Sequence, residues 1–110
     1  MSHTSEIKFE IQLDDNKVPE RMSWNASDGG VTDEEAKAVM MSVWDPKSKE
    51  TLRIDLWSKD MLLDEMKIFY HQTLMGMADS FERATNDKEV AQGMRMFAED
   101  FAKRLRLIDP

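Results

Sequence analysis

Thr51-Leu52-Arg53-Ile54-Asp55-Leu56-Trp57-Ser58-Lys59-Asp60-Met61-Leu62-Leu63-Asp64-Glu65-Met66-Lys67-Ile68-Phe69-Tyr70 contains the point at which the apolar period of this chain changes from 2 to 3.6. Up to Trp57 the residues alternate. Leu52, Ile54 and Leu56 point one way and Arg53, Asp55 and Trp57 the other, the pattern of a one-sided strand. From about residue 61, Met66, Tyr70, Thr73, Leu74, Met77, Phe81 and Ala84 fall on one stripe of a long amphipathic helix. The strands are read before this junction and the two long helices after it.

Upstream, Ile7, Phe9, Ile11 and Leu13 alternate with Lys8, Glu10 and Gln12, which predicts a half-buried strand over residues 5–14. Asp14-Asp15-Asn16 closes it with turn chemistry, and after Pro19 a second alternation places Met22, Trp24 and Ala26 together. Ser27-Asp28-Gly29-Gly30 reads as a loop. Thr32-Asp33-Glu34-Glu35 fits a capping box at which a short helical turn can start, but the apolar run from Ala38 soon turns β-like, so helix and strand both stay open here. Residues 38–45 are apolar on both faces, with Val39, Met41 and Val43 on one and Met40 and Trp44 on the other. That is the signature of a central strand, or of one covered by a partner. Asp45-Pro46-Lys47-Ser48-Lys49-Glu50 predicts a hairpin tip joining residues 38–45 to 51–57.

Downstream, Asn86-Asp87-Lys88-Glu89 offers a helix start, and Val90, Met94, Phe97, Phe101 and Leu105 form a second helical stripe. So short a connection makes the helices antiparallel neighbours. Lys103, Arg104 and Arg106 close the second helix, where cations oppose the negative end of the dipole, so this basic cluster has a structural explanation. The expected fold is α+β: an antiparallel four-stranded sheet followed by a two-helix antiparallel hairpin packed on one face. At 110 residues, a single domain over 1–110 is expected, because two halves would each bury too little.

The charge is −7, from 15 Lys+Arg against 22 Asp+Glu. Such a chain repels phosphate backbones and anionic lipid, so nucleic-acid binding and direct membrane insertion are disfavoured and other proteins are the expected partners. No cysteine is present, which removes disulfides, thiolate nucleophiles and the common zinc sites. The segment Met1–Glu6 has neither a basic n-region nor an apolar h-region, so a cytoplasmic location is expected. In that compartment the sequon Asn25-Ala26-Ser27 has no meaning.

No catalytic set emerges. His71 and Asp79 on the first helix lie about 80° apart around its axis and about 12 Å along it, too far for a triad with Ser80. Asp28–Glu35 combines carboxylates with glycines, but the glycines follow Asp28 directly, unlike a calcium loop. No catalytic residue, cofactor or metal ligand is therefore assigned. The more informative signal is apolar. Ile68 and Met75, with His71 and Ala78 beside them, project away from the first helix's stripe, and Met96 and Leu107 fall on the back of the second. Met40, Trp44, Trp57, Ile68, His71, Met75 and Met96 are the expected protein-interaction surface, for which flexible Met and aromatic anchors are suited. A homodimer or higher homo-oligomer is one way to cover it.

Several blocks resemble a known family: Ser2-His3 and Ser5-Glu6-Ile7-Lys8-Phe9, then Asp28-Gly29-Gly30-Val31, Ser42-Val43-Trp44-Asp45, the run Thr51–Met61, Asp64-Glu65-Met66-Lys67 and His71-Gln72-Thr73-Leu74. They are similar to the gliding motility-associated protein GldC family of Bacteroidota. The resemblance implies a small cytoplasmic accessory protein of gliding, a surface motility linked to type IX secretion, with components of that machinery as partners. It supplies no catalytic motif. The layout of strands followed by two helices is also similar to SecB-type export chaperones, so a chaperone role linked to type IX secretion is the alternative to a non-catalytic adaptor.

Overall fold

A computed structural model of the chain describes residues 2–108 and divides them into two compact units, meeting in sequence between Met61 and Leu62. The first holds five strands: β1 (Ile7–Leu13), β2 (Pro19–Ala26), β3 (Val31–Ala36), β4 (Ala38–Asp45) and β5 (Glu50–Trp57). The second holds α1 (Leu63–Thr85) and α2 (Lys88–Arg104). The α+β class stands, but the single four-stranded sheet does not: the strands form a three-stranded antiparallel sheet, β1-β2-β3, and a two-stranded one, β4-β5.

The additional strand is β3, where the capping box left a helical turn open. Val31 and Thr32 are β-branched, and β2 offers a free edge, so pairing wins: Met22 stands opposite Ala36 and Trp24 opposite Glu34. Between Trp24 and Ala26 the register shifts, giving a bulge. There the Asn25 side chain accepts the Asp33 N–H at 2.8 Å, and Asp33 adopts a φ of 47°. The sheet divides at Lys37, a one-residue bend between β3 and β4. The end of β5 stitches the two sheets together, because Ser58 N–H donates to the Lys37 carbonyl (2.7 Å) and Lys59 N–H to that of Pro19 (3.0 Å).

In the three-stranded sheet Ile7, Phe9 and Ile11 lie opposite Ala26, Trp24 and Met22, so the alternations of β1 and β2 fall on one face, with Phe9 and Trp24 stacked at 5.7 Å. Met22 is the largest fully buried side chain among the described residues. The β4–β5 hairpin matches its sequence reading. Val39, Met41 and Val43 stand opposite Leu56, Ile54 and Leu52. The Asp45 carboxylate accepts Lys47 N–H and the Ser48 hydroxyl at the tip, which holds it below its ordinary pKa, Ser48 contributing most.

Both helices form where the period predicted, but the helix start moves. Asn86 is the C-cap of α1 in the left-handed region (φ 58°), which Asn tolerates, and Asp87 is the N-cap of α2, accepting Val90 N–H at 3.0 Å. The seam between the helices also differs from the expected stripes. It runs through Ala78 of α1 and Ala91, Ala98 and Ala102 of α2, all fully buried, and Arg95 bridges it to Asp79 (2.9 Å) and Glu82 (3.0 Å). Small side chains let two helices approach closely, so Ala78 is a packing residue and not part of an outward face. Conversely Tyr70, Met77, Val90 and Phe97 of the expected core stripes stand 41–60% exposed.

Candidate protein-contact surfaces

The two-stranded unit of β4 and β5 carries its apolar residues into the open. On one side of the hairpin Val43, Leu52 and Ile54 are each more than half exposed; on the other, Trp44 is 61% exposed and Trp57 52%. Met40 is half-buried. Arg53 is tied to the Asp55 carboxylate at 2.8 Å and to the Ser42 hydroxyl, which orders the polar side of β5. Trp57 borders a hollow of about 280 Å³ with Lys17, Val18, Pro19, Asp55 and Leu56, where the β1–β2 turn approaches the end of β5. Asp14 and Lys59 brace that corner with a 3.1 Å ion pair. Val18 N–H above all, then Lys59, holds the Asp14 carboxyl below its ordinary pKa.

The helical unit has a second apolar surface. Because Ala78, Ala91, Ala98 and Ala102 form the seam, the large residues of the two stripes line one side of the hairpin, where Leu74, Val90, Gly93, Met94 and Phe97 enclose a groove of about 390 Å³. A Cβ at Gly93 would meet nothing within 4 Å, so the floor of the groove is open. Of the residues expected to make contacts, Ile68 and Met96 are exposed, and His71 and Met75 are half-buried beside the Ala78 seam. The expected set therefore lies on two separately described units: Met40, Trp44 and Trp57 on the strands, and Ile68, His71, Met75 and Met96 on the helices. Sequence reasoning missed the groove residues Val90 and Phe97, because bulk at helical spacing reads as core.

The polar features of the described residues make local contacts. His3 Nε2 lies 3.0 Å from Asp28, and the Ser5 hydroxyl bonds the same carboxylate, holding it below its ordinary pKa. Ser5 and His3 thus both engage Asp28, whereas a triad needs the imidazole between hydroxyl and carboxylate. The trio fastens the N-terminal arm to the β2–β3 loop, and Ser27 adds hydrogen bonds to Glu6. A shallow polar hollow lies over Glu10, Gln12, Arg21, Ser23, Asp33 and Glu35, on the polar face of the three-stranded sheet. Among the described residues no group of three or more His, Asp and Glu is placed to hold a metal ion, and no helix is long and apolar enough to cross a membrane.

Fold and surface together define a small acidic α+β protein whose prominent exposed features are apolar faces on a β-ribbon and on a helical hairpin. The sequence model of the family described as "Gliding motility-associated protein GldC-like" matches residues 19–107, most of the chain, and the protein belongs to that family. The match takes in the blocks from Asp28 to Leu74 that carry the resemblance and leaves out Ser2–Phe9. No curated protein and no solved structure matches the chain. Family membership ties it to gliding motility.

Proposed function

We propose that this protein is a non-catalytic accessory of bacterial gliding motility that acts in the cytoplasm as an adaptor, by contact with other proteins. One observation carries the reading: Trp44, Trp57, Met96 and Phe97 stand 52–63% exposed, and large aromatic and Met side chains are the residues that anchor protein interfaces. The expected partners are components of the gliding and type IX secretion machinery. The full chain, tagged and expressed in a gliding bacterium that lacks its own copy, tests this. Wild-type protein should restore spreading and retain a defined set of machinery proteins. Trp57→Ala and Met96→Glu, each shown folded by circular dichroism, should lose part of both. Folded variants with unchanged spreading and unchanged retained proteins would remove the contact reading.

A SecB-like export chaperone is the second reading, favoured by the apolar groove of Leu74, Val90, Gly93, Met94 and Phe97. It predicts suppression of aggregation of an unfolded secretion client, lost in Phe97→Glu.

A further inference from the structure

We infer that two copies of this chain pair through the outer edge of β4, antiparallel about a two-fold axis at Met41, to make one continuous four-stranded sheet, β5-β4-β4-β5. The inference goes beyond the proposed function, since the pairing would form whatever the protein contacts.

The first observation is a conflict between sequence and position. Among the described residues β4 neighbours β5 alone, and no strand lies along its other edge. Each of the other four strands carries at least two charged residues: Lys8 and Glu10; Glu20 and Arg21; Asp33, Glu34 and Glu35; Glu50, Arg53 and Asp55. β4 has none from Ala38 to Trp44, ending only at Asp45. Natural edge strands are guarded by charge, proline or bulges, because an open row of N–H and C=O groups templates pairing.

The second observation identifies the occupant. Because Ser58 N–H donates to the Lys37 carbonyl and Ala38 stands opposite Trp57, the odd residues 37–45 direct their backbone groups at β5. Ala38, Met40, Ser42 and Trp44 therefore direct theirs outward. Such an outward row can be paired by another strand, and β4 is complementary to itself. Antiparallel pairing centred on Met41 sets Val39 against Val43, Met40 against Ser42, small Ala38 against large Trp44, and Lys37 against Asp45, twice over by symmetry. Opposite charges meet at both ends, and outward backbone groups meet outward backbone groups. A register one residue away would place Val39, Met41 and Val43 opposite residues of the other face. The joined sheet merges the exposed Val43, Leu52 and Ile54 of both copies into a single apolar face.

Solution mass and a single introduced thiol test this on the full chain, which has no cysteine. Sedimentation should give a concentration-dependent dimer of twice 12.8 kDa. Met41→Cys should form an intermolecular disulfide under mild oxidation, because residues facing each other across the axis stand about 4.5 Å apart at Cα, within disulfide range. Val43→Cys should not, since its two copies would lie about 13 Å apart along the strand. Ser42→Pro removes an outward N–H together with the hydroxyl that Arg53 reaches, so Ser42→Ala, which loses the hydroxyl alone, is its control: the proline should raise the dimer dissociation constant roughly tenfold or more and the alanine should not, both leaving the circular dichroism of the monomer in place. A wild-type monomer at every concentration, or equal cross-linking of the two thiol variants, overturns the pairing. A Ser42→Pro monomer that still retains the machinery proteins leaves the adaptor function standing, whereas a dimer that retains none removes that function and leaves the pairing.

Discussion

β3 and β4 are separated by a single residue, Lys37, yet they treat water in opposite ways. β3 is an edge of its sheet, and it carries Asp33, Glu34 and Glu35 and a bulge at the point where its register with β2 slips. β4 is an edge too, and it presents Val43 and Trp44 more than half exposed with Asp45 at its end as its one charge. One strand is finished against solvent and the other is not. Local sequence thus separates a charged, bulged edge from an apolar one, and under the proposed pairing the apolar edge is the one that a second copy covers. The helical hairpin repeats the contrast: a dry seam of alanines lies beside an open groove of Val90, Met94 and Phe97.

The contrast between finished and open surfaces can be broken by mutation. The largest effect belongs to Met22→Ala in β2, where a fully buried side chain is lost; urea unfolding should show about 2–5 kcal/mol of destabilisation. Trp44→Ala, measured on monomer at high dilution, should cost well under half as much, and equal costs would erase the distinction. Ala98→Leu forces bulk into the helix seam and should cost about 1–3 kcal/mol, while Phe97→Ala next to it should cost less because its ring is 60% exposed. Gly76→Ala, where a Cβ meets nothing within 4 Å, should stabilise by about 0.5–1 kcal/mol, visible as a higher melting temperature.

The smallest effect is electrostatic. Val18 N–H and Lys59 lower the folded-state pKa of Asp14, so its contribution is present above the unfolded value near 4 and is lost as pH falls through the folded one. In Asp14→Asn the urea midpoint should therefore fall less between pH 5 and pH 2.5 than in wild type. An unchanged acid slope would show that the corner contributes nothing.

The large-scale order of this fold is legible in the sequence, because the change of period near residue 61 follows from geometry alone: two residues per repeat in a strand, 3.6 in a helix. The β4–β5 hairpin is legible for the same reason, reinforced by the turn chemistry of Asp45 and Pro46. β3 is obscured by its acids, which are poor strand formers and sit there only because β2 supplies the pairing. The helix seam is obscured by size. Leu74, Met77, Phe81, Val90 and Phe97 dominate the hydrophobic period, but alanines permit the closest approach and are the residues fully buried. Of the residues proposed for contacts, Trp44, Trp57, Ile68 and Met96 are exposed and His71 and Met75 are half-buried, because alternation and helical spacing tell which way a side chain points and not what meets it.

The most direct test is amide hydrogen exchange across β4, followed by NMR at several protein concentrations. The outward N–H groups of Met40, Ser42 and Trp44 should become protected as concentration rises, while those of Met41 and Val43, already bonded to β5, stay protected throughout. Fast exchange at the outward positions at every concentration would mean that the edge of β4 stays open to water, contradicting the account.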